Sequence, residues 1–469
     1  MFLQRVHPNS NQFKPRCQLT IPPACSAETE VKNDSPFLAP PPTPLGGFTP
    51  EEFKDRRDRL RSAFPEGVLV IRGSREDEAV NPQRYKQNSS FFYLTGVETP
   101  GAFLVLLPES LPANYALPKV DAEIRELLFL PARNATAETW TGPQLGPGEE
   151  TEKATGVQKT VDASSFFGSL TSWIRYCPIV CTVAAYGQNA ASTRDYAFMQ
   201  EIARLAPTVQ FRDCGPELAK LRMVKSKAEI DRILQAIEIT QEGHRAARAM
   251  ISKGDGVWEY EVEAEILKAF KRRGSGLAFG SIIGAGFRAT VLHYENNNQT
   301  MKQGELAVVD IGAVAGAYCG DLTRTYPVGG VFSDRQKEIY NLVLSAYELT
   351  IQNFKPGEDT TKIIDDRVKE FLKNSPIRAK NEKGEEKTMD EFMPHGLGHS
   401  LGLDVHDSAF PHFPLVPGCV ITVEPGIYIP SEGIGVRIED DFMVTENGLE
   451  RLGAPLERTI EELEAVMKS

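Results

Sequence analysis

Two long stretches place apolar residues at helical spacing: LAKLRMVKSKAEIDRILQAIEITQEGHRAARAMI from Leu218 and VWEYEVEAEILKAFKRRG from Val257. The first predicts one long amphipathic helix, and the second a helix closed by Gly274 as a C-cap. Before them the pattern is different. GVLVIRG (67–73), SFFYLTGV (90–97), AFLVLLP (102–108), ELLFLPA (126–132) and IVCTVAAYG (179–187) are short apolar runs bounded by Gly or Pro, and each predicts a strand. They follow TPEEFKDRRDRLRSAF, where Thr49 suits an N-cap, Pro50 the first helical position and Glu52 the third position after the cap. Residues 49–215 therefore read as an α/β domain. From Cys214 the texture changes, and residues 216–469 run through two rounds: helices to Gly274 and strand-like runs to about 330, then helix over 333–372 and strands over 393–445. The fold class is α/β (α+β).

The two rounds share a skeleton. Gly304-ELAVV-Asp310-Ile-Gly312 and Gly418-CVITV-Glu424-Pro-Gly426 have the same order of Gly, five residues, an acid, one residue and Gly. Each is followed by a second acidic strand, GDLTRTYPV with Asp321 and GVRIEDDFMV with Glu439. An internal duplication explains this simply; two hairpins similar by chance are the alternative.

The acids interrupt apolar runs, and a buried carboxylate is costly unless it is paired or metal-bound. The turn AVAGAYCG can fold Asp310 and Asp321 face to face, and PSEGIG can do the same for Glu424 and Glu439. If the hairpins meet, four carboxylates converge, and two divalent cations would balance them. Oxygen-rich ligation favours Mn²⁺, with Co²⁺, Zn²⁺ or Fe²⁺ as alternatives. Three of the seven histidines, His395, His399 and His406, fall in HGLGHSLGLDVHD. The first two are spaced i, i+4, but the Gly-Leu-Gly between them disfavours helix. The stretch reads as a loop or irregular strand bringing backbone close to a site. His293, in ATVLHYENNN, raises the same question; the upstream GAGFRA fits a degenerate dinucleotide fingerprint, which is rejected because TVLHY reads as a strand rather than a helix.

Composition narrows the partners. The chain has 469 residues and a net charge of −12, with no run of five basic residues, so neither nucleic acid nor an anionic membrane is expected as a partner. No stretch reaches the ~18 apolar residues of a membrane span. Seven scattered cysteines point to free thiols in a reducing compartment, and the sequons at Asn88, Asn134 and Asn298 read as chance matches. Residues 1–48 are rich in Pro, Ser, Asn and Thr and carry Arg5, Lys14 and Arg16 before the first acid, Glu28. That segment reads as a disordered tail or as a weak transit signal, so the compartment is cytoplasmic, or alternatively mitochondrial or another organelle.

VVDIG, GDLTRTYPV, HGLGHSLGLDVHD, TVEPGIY and GVRIEDD, in that order and spacing, resemble the aminopeptidase P and prolidase group of pita-bread metallopeptidases. YKQNSSFFYLTGVETPGAFLVL resembles the N-terminal domain of aminopeptidase P. The resemblance implies a catalytic domain of two pseudo-symmetric halves and five metal ligands, Asp310, Asp321, His399, Glu424 and Glu439, around two divalent ions. It implies an Xaa-Pro aminopeptidase; a prolidase is the near alternative, and a catalytically silent pita-bread binding protein a remote one. His395 and His406 would flank the substrate with His293 opposite, Glu424 would relay the proton, and Tyr428 and Arg437 would shape the proline pocket. Gly398 is a departure: many aminopeptidase P sequences carry Ser there and prolidases often Gly, which leaves that choice open. The group often forms dimers or tetramers, so a homo-oligomer is expected.

Overall fold

The computed structural model describes residues 47–76, 85–111, 124–184, 193–409 and 412–468; the readings made for residues 1–46 lie outside them. Helix α1 (Pro50–Ala63) starts as expected, with the Thr49 side chain accepting from the Glu52 N–H. It is followed by β1 (Val68–Arg72), α2 (Ser89–Thr95), β2 (Phe103–Leu106), β3 (Glu126–Leu130), α3 (Ala135–Thr141), α4 (Glu149–Thr155), β4 (Lys159–Asp162), α5 (Phe166–Ile174), β5 (Ile179–Thr182), α6 (Arg194–Leu205) and β6 (Gln210–Asp213). SFFYLTGV is thus a helix, not a strand. Asn88 caps it by accepting from the Phe91 N–H, and Gly96 ends it in the left-handed conformation at φ 66°. Phe91 to Thr95 are all buried, and a helix buried on every side shows no periodicity to tell it from a strand.

The six strands form one sheet in the order β4-β3-β2-β1-β5-β6, and their side chains divide by alternation. Val68, Val70, Val105, Leu127 and Phe129 pack with Phe166, Leu170 and Trp173 of α5 and Phe198 and Ile202 of α6. Leu69, Ile71, Leu104, Leu106, Leu128 and Leu130 face the other way, onto α1 and α2, and share a core with Tyr318, Leu322, Leu401, Leu403 and Val420 from the second half of the chain.

The helix expected from Leu218 onward is two helices, α7 (Gly215–Met223) and α8 (Lys227–Ile251). Ser226 opens α8 with a reciprocal capping box to Glu229, and the break between them is pinned where the Lys225 N–H donates to the Gly418 carbonyl at 2.9 Å. After α9 (Glu259–Arg272) come β7 (Ile282–Ala285), β8 (Leu306–Ile311), β9 (Val314–Ala315), β10 (Tyr318–Cys319) and β11 (Leu322–Pro327). Then follow α10 (Asp334–Asn353), α11 (Thr361–Asn374), β12 (Ala379–Lys380), β13 (Glu386–Lys387), β14 (Val420–Val423), β15 (Gly426–Ile429), β16 (Ile434–Arg437), β17 (Asp440–Thr445), β18 (Gly448–Arg451) and α12 (Ile460–Met467). TVLHY is not a strand: Gly286–Thr290 form a short 3₁₀ turn and turns follow. No α-helix opens there, so the fingerprint lacks the helix it requires. Residues 393–409 and 412–419 are largely irregular rather than stranded.

Two antiparallel units carry the second half of the chain, β7-β8-β11 and β14-β17-β18. Helices α8 and α9 pack on the first, and α10 packs on β18 of the second and on the separate β15–β16 hairpin. The units meet edge to edge at a β-bridge between Thr323 and Glu439.

Candidate metal centre and active-site cavity

Asp310 lies near the end of β8, opposite Thr323, and Asp321 immediately precedes β11. The intervening AVAGAYCG forms the small β9–β10 hairpin. In the second unit Val423 pairs with Asp440, which sets Glu424, just after β14, opposite Glu439, just before β17. PSEGIG closes the β15–β16 hairpin between them. All four acids sit where a strand ends or begins, so their carboxylates turn toward the seam between the units.

The glycine-rich stretch runs antiparallel beside β14. The Leu401 N–H donates to Val420 O at 3.1 Å, the Thr422 N–H to His399 O at 2.9 Å and the Glu424 N–H to Leu397 O at 2.8 Å. Gly398 is fixed by this approach, because a Cβ there would stand 2.1 Å from the Thr422 carbonyl oxygen. The alignment puts His399 Nε2 3.5 Å from Asp321 Oδ2 and 3.4 Å from Glu424 Oε1. Ligand atoms of Asp321, His399 and Glu439 lie within 4.8 Å of one another.

Electrostatics suits the cluster to cations. Burial, with Glu439 and Asp310 adding repulsion, holds Asp321 well above the usual carboxylate range. Glu439 is raised likewise by burial and by Glu424 and Asp310. Burial pushes Glu424 up to about 8, with Arg437 opposing. Asp310 Oδ1 and Asp321 Oδ1 are buried without a hydrogen-bond partner. Buried acids with unpaired oxygens and one histidine nitrogen among them fit divalent metal ions.

A chain of contacts leads away from Asp310. Arg437 Nη2 donates to Asp310 Oδ2 at 2.6 Å, and Arg437 Nη1 to the Tyr428 hydroxyl at 2.7 Å. That hydroxyl is 2.9 Å from His395 Nε2, while His395 Nδ1 is 2.7 Å from the Gly396 carbonyl. The carbonyl can only accept, so Nδ1 carries the proton and Tyr428 donates to Nε2. Burial lowers His395 to about 4, so the ring is neutral.

These groups border a cavity of ≈590 Å³. His293, His395, His399, His406, Arg437 and the four acids line it, together with Phe279, Ile282, Leu292 and Val405. The His406 ring lies 4.1 Å from that of His399. Tyr428 is not on the wall; it is 4 % exposed and stands behind His395 and Arg437. A larger surface groove, ≈710 Å³, runs along α10 and α11 and shares no lining residue with this cavity.

Sequence reasoning missed Thr323 and Asp441. Thr323 Oγ1 donates to Glu439 Oε2 at 2.6 Å, and Asp441 Oδ2 accepts the Asp321 N–H at 3.0 Å. Each lies two residues after a proposed ligand, on the same strand face, and period-two alternation was the signal available. The apolar wall of Phe279, Leu292 and Val405 left no local signal.

The profile of metallopeptidase family M24 matches residues 231–446, and that of the aminopeptidase P N-terminal domain matches residues 53–180. The chain is 32 % identical to Xaa-Pro aminopeptidase of Escherichia coli K12 over 89 % of this chain and 97 % of the relative. It is 30 % identical to the mitochondrial intermediate cleaving peptidase 55 of Arabidopsis thaliana over 97 % of this chain and 91 % of the relative. Among solved structures, Escherichia coli aminopeptidase P with the inhibitor Pro-Leu superposes with a TM-score of 0.75 at 30 % identity, covering 90 % of this chain and 98 % of that one.

Proposed function

We infer the working of the site from one premise: the chain belongs to metallopeptidase family M24 in its aminopeptidase P branch and is an Xaa-Pro aminopeptidase, a hydrolase that releases the first residue of peptides with proline second. The observation that carries this reading for the chain's own residues is the convergence of Asp310, Asp321, His399, Glu424 and Glu439 on one histidine-lined cavity. Those five would hold two divalent ions, Mn²⁺ first and Co²⁺, Zn²⁺ or Fe²⁺ as alternatives. When bound, the ions lower the pKa of a water molecule and polarise the substrate carbonyl.

The remaining steps belong to side chains. Glu424, on the cavity wall, takes the proton of the attacking water and passes it to the leaving proline nitrogen, which departs poorly without it. His406 and His293, also on the wall, donate to the oxygen that becomes negative during attack. His395 stays neutral, held by Tyr428 and Gly396, and orients substrate rather than supplying protons. Arg437 holds the Asp310 carboxylate in place through its Nη2, and Tyr428 acts through Arg437 and His395. Phe279, Leu292 and Val405 supply apolar wall for the proline ring.

Three assignments extend the reading. The domains divide at residues 49–215 and 216–469. The enzyme assembles as a homodimer or homotetramer. It works in the cytoplasm, with the mitochondrion as the alternative that the Arabidopsis relative favours; among the described residues no helix is long and apolar enough to cross a membrane.

The test offers purified protein with Mn²⁺ an Xaa-Pro dipeptide and an Xaa-Pro-Yaa tripeptide in parallel. Release of the first residue from the tripeptide is expected. Cleavage of the dipeptide alone would make the enzyme a prolidase.

A further inference from the structure

Among the described residues the His406 ring has no hydrogen-bond partner, yet the catalytic role assigned to it needs a fixed direction. What fixes the segment that carries it lies outside the cavity. Two carboxylates bracket it, Asp404 two residues before and Asp407 one residue after, and both point away from the metal centre into a group of three cations.

Asp407 is buried. Lys225 Nζ donates to its Oδ2 at 3.0 Å, Arg222 Nη2 donates to its Oδ1, and the Ser408 N–H donates to the same Oδ1 at 2.9 Å. Its own N–H donates to the carbonyl of Ser400, the residue after His399, at 2.8 Å. Gly402 makes room, since a Cβ there would lie 2.1 Å from Asp407 Oδ2. Asp404 accepts from Arg222 Nη2 at 2.8 Å on Oδ2, and from Lys86 Nζ at 2.8 Å and Ser89 Oγ at 2.7 Å on Oδ1. The cations next to it hold its carboxyl down at about 2 against the cost of burial. Lys86 and Ser89 belong to the N-terminal α/β region, and Arg222 and Lys225 to the end of α7 and the break before α8.

We propose that Asp404 and Asp407 are positioning residues for His406, and that Lys86, Ser89, Arg222 and Lys225 anchor them, so that docking of the N-terminal domain sets the direction of a catalytic histidine. The geometry says why a second domain is needed. The backbone of residues 402–408 turns sharply, with the Gly402 N–H on Asp404 O at 3.1 Å and the Cys319 N–H on Gly402 O at 2.9 Å. Such a turn has few internal bonds, and ion pairs at both ends of the His406 peptide remove its remaining freedom. A displacement of ~1 Å at a catalytic group can cost as much as 10²-fold in rate.

The proposal rests on His406 acting in the reaction, and the test separates the two. Asp404→Asn keeps the shape and loses the charge, while Lys86→Met removes an exposed anchor on the other domain and cannot disturb a core. We expect Asp404→Asn to lower kcat about 10-fold with KM and metal content unchanged, and Lys86→Met to act in the same direction. The double variant Asp404→Asn/His406→Ala should be little slower than His406→Ala alone, because both changes remove one interaction. A second readout does not involve turnover: with ¹³C-labelled histidine, the imidazole signal lost in His406→Ala should shift or broaden in both anchor variants, and the His395 signal should not. If His406→Ala keeps full kcat while its signal moves in the anchor variants, the catalytic role of His406 falls and the positioning stands. Rate losses that multiply, or a His406 signal unmoved in Lys86→Met, would overturn the proposal. Should Asp404→Asn fail to fold, Lys86→Met decides alone.

Discussion

Asp441 accepts the backbone N–H of Asp321 on Oδ2 at 3.0 Å, from the opposite hairpin. The contact has a counterpart across the pseudo-two-fold seam, where Thr323 Oγ1 donates to Glu439 at 2.6 Å and Thr323 O accepts the Glu439 N–H at 3.1 Å. In each hairpin the residue two positions after a proposed ligand holds the proposed ligand of the other hairpin. The two halves therefore build the proposed metal centre jointly.

Asp441→Ala strands the buried Asp321 N–H, whereas Asp441→Asn keeps an oxygen for it. Loss of such an outer partner lowers metal affinity about 10–100-fold. The alanine variant should show that loss in a metal titration, and the asparagine variant most of the wild-type affinity. Equal affinity in wild type and Asp441→Ala would remove Asp441 from the metal centre.

Chelated protein should lose activity and regain it with Mn²⁺, and its stability should fall as pH rises. Without metal, Glu424 keeps its proton up to about 8 in the fold, and Asp321 and Glu439 are raised as well. In the unfolded chain the same groups ionise near ~4. Between those limits the folded state binds more protons than the unfolded state, so the unfolding free energy decreases with pH. Melting temperature of the metal-free protein should drop from pH 5 to pH 8, and added Mn²⁺ should stabilise most at the alkaline end, where its ligands are deprotonated. A metal-free melting temperature that rises over this range contradicts the cluster.

His399→Ala and His406→Ala should fail differently. The rings are 4.1 Å apart, but only His399 approaches Asp321 and Glu424. His399→Ala should lose metal by elemental analysis. His406→Ala should keep it, and kcat should fall about 10²–10³-fold, the range for removal of one oxyanion donor. Loss of metal in His406→Ala would reverse the two roles.

A chain beginning at Gly47 should be fully active, while one beginning at Thr49 should be less stable. Phe48 is 6 % exposed and lies 5.6 Å from the Tyr318 ring and 5.9 Å from Phe53. It thereby ties the start of the chain to the hairpin between Asp310 and Asp321. Losing a buried Phe costs about 1.5–3 kcal/mol, visible as a lower denaturant midpoint at unchanged slope. An equal midpoint for both chains would show the contact to be idle.

Which residues are chemically anomalous is legible along the chain. An acid inside LAVVDIG or VITVEPG is costly wherever the strand is buried, so Asp310 and Glu424 stood out before any pairing was known. Thr49, Pro50 and Glu52 specified the start of α1 through contacts within one helical turn. Glycines flanking His399 marked a close backbone approach, which Gly398 makes to Thr422. All of these signals are local, and local physics is written in adjacent residues.

The rest depends on contacts between distant parts of the chain. Phe91 to Thr95 show no helical period because all of them are buried, and burial is a property of their neighbours. The helix from Leu218 broke at Lys225 because that backbone bonds to Gly418, far along the chain. Asp441 and Thr323 each serve the opposite hairpin, and Lys86 meets Asp404 across 318 positions. Such pairs carry no spacing rule. The Lys86–Asp404 pair exists because the shared core of Leu69, Ile71, Leu128, Leu401 and Leu403 brings the two regions together, and burial of that apolar surface, which is non-directional, leaves these polar groups facing each other.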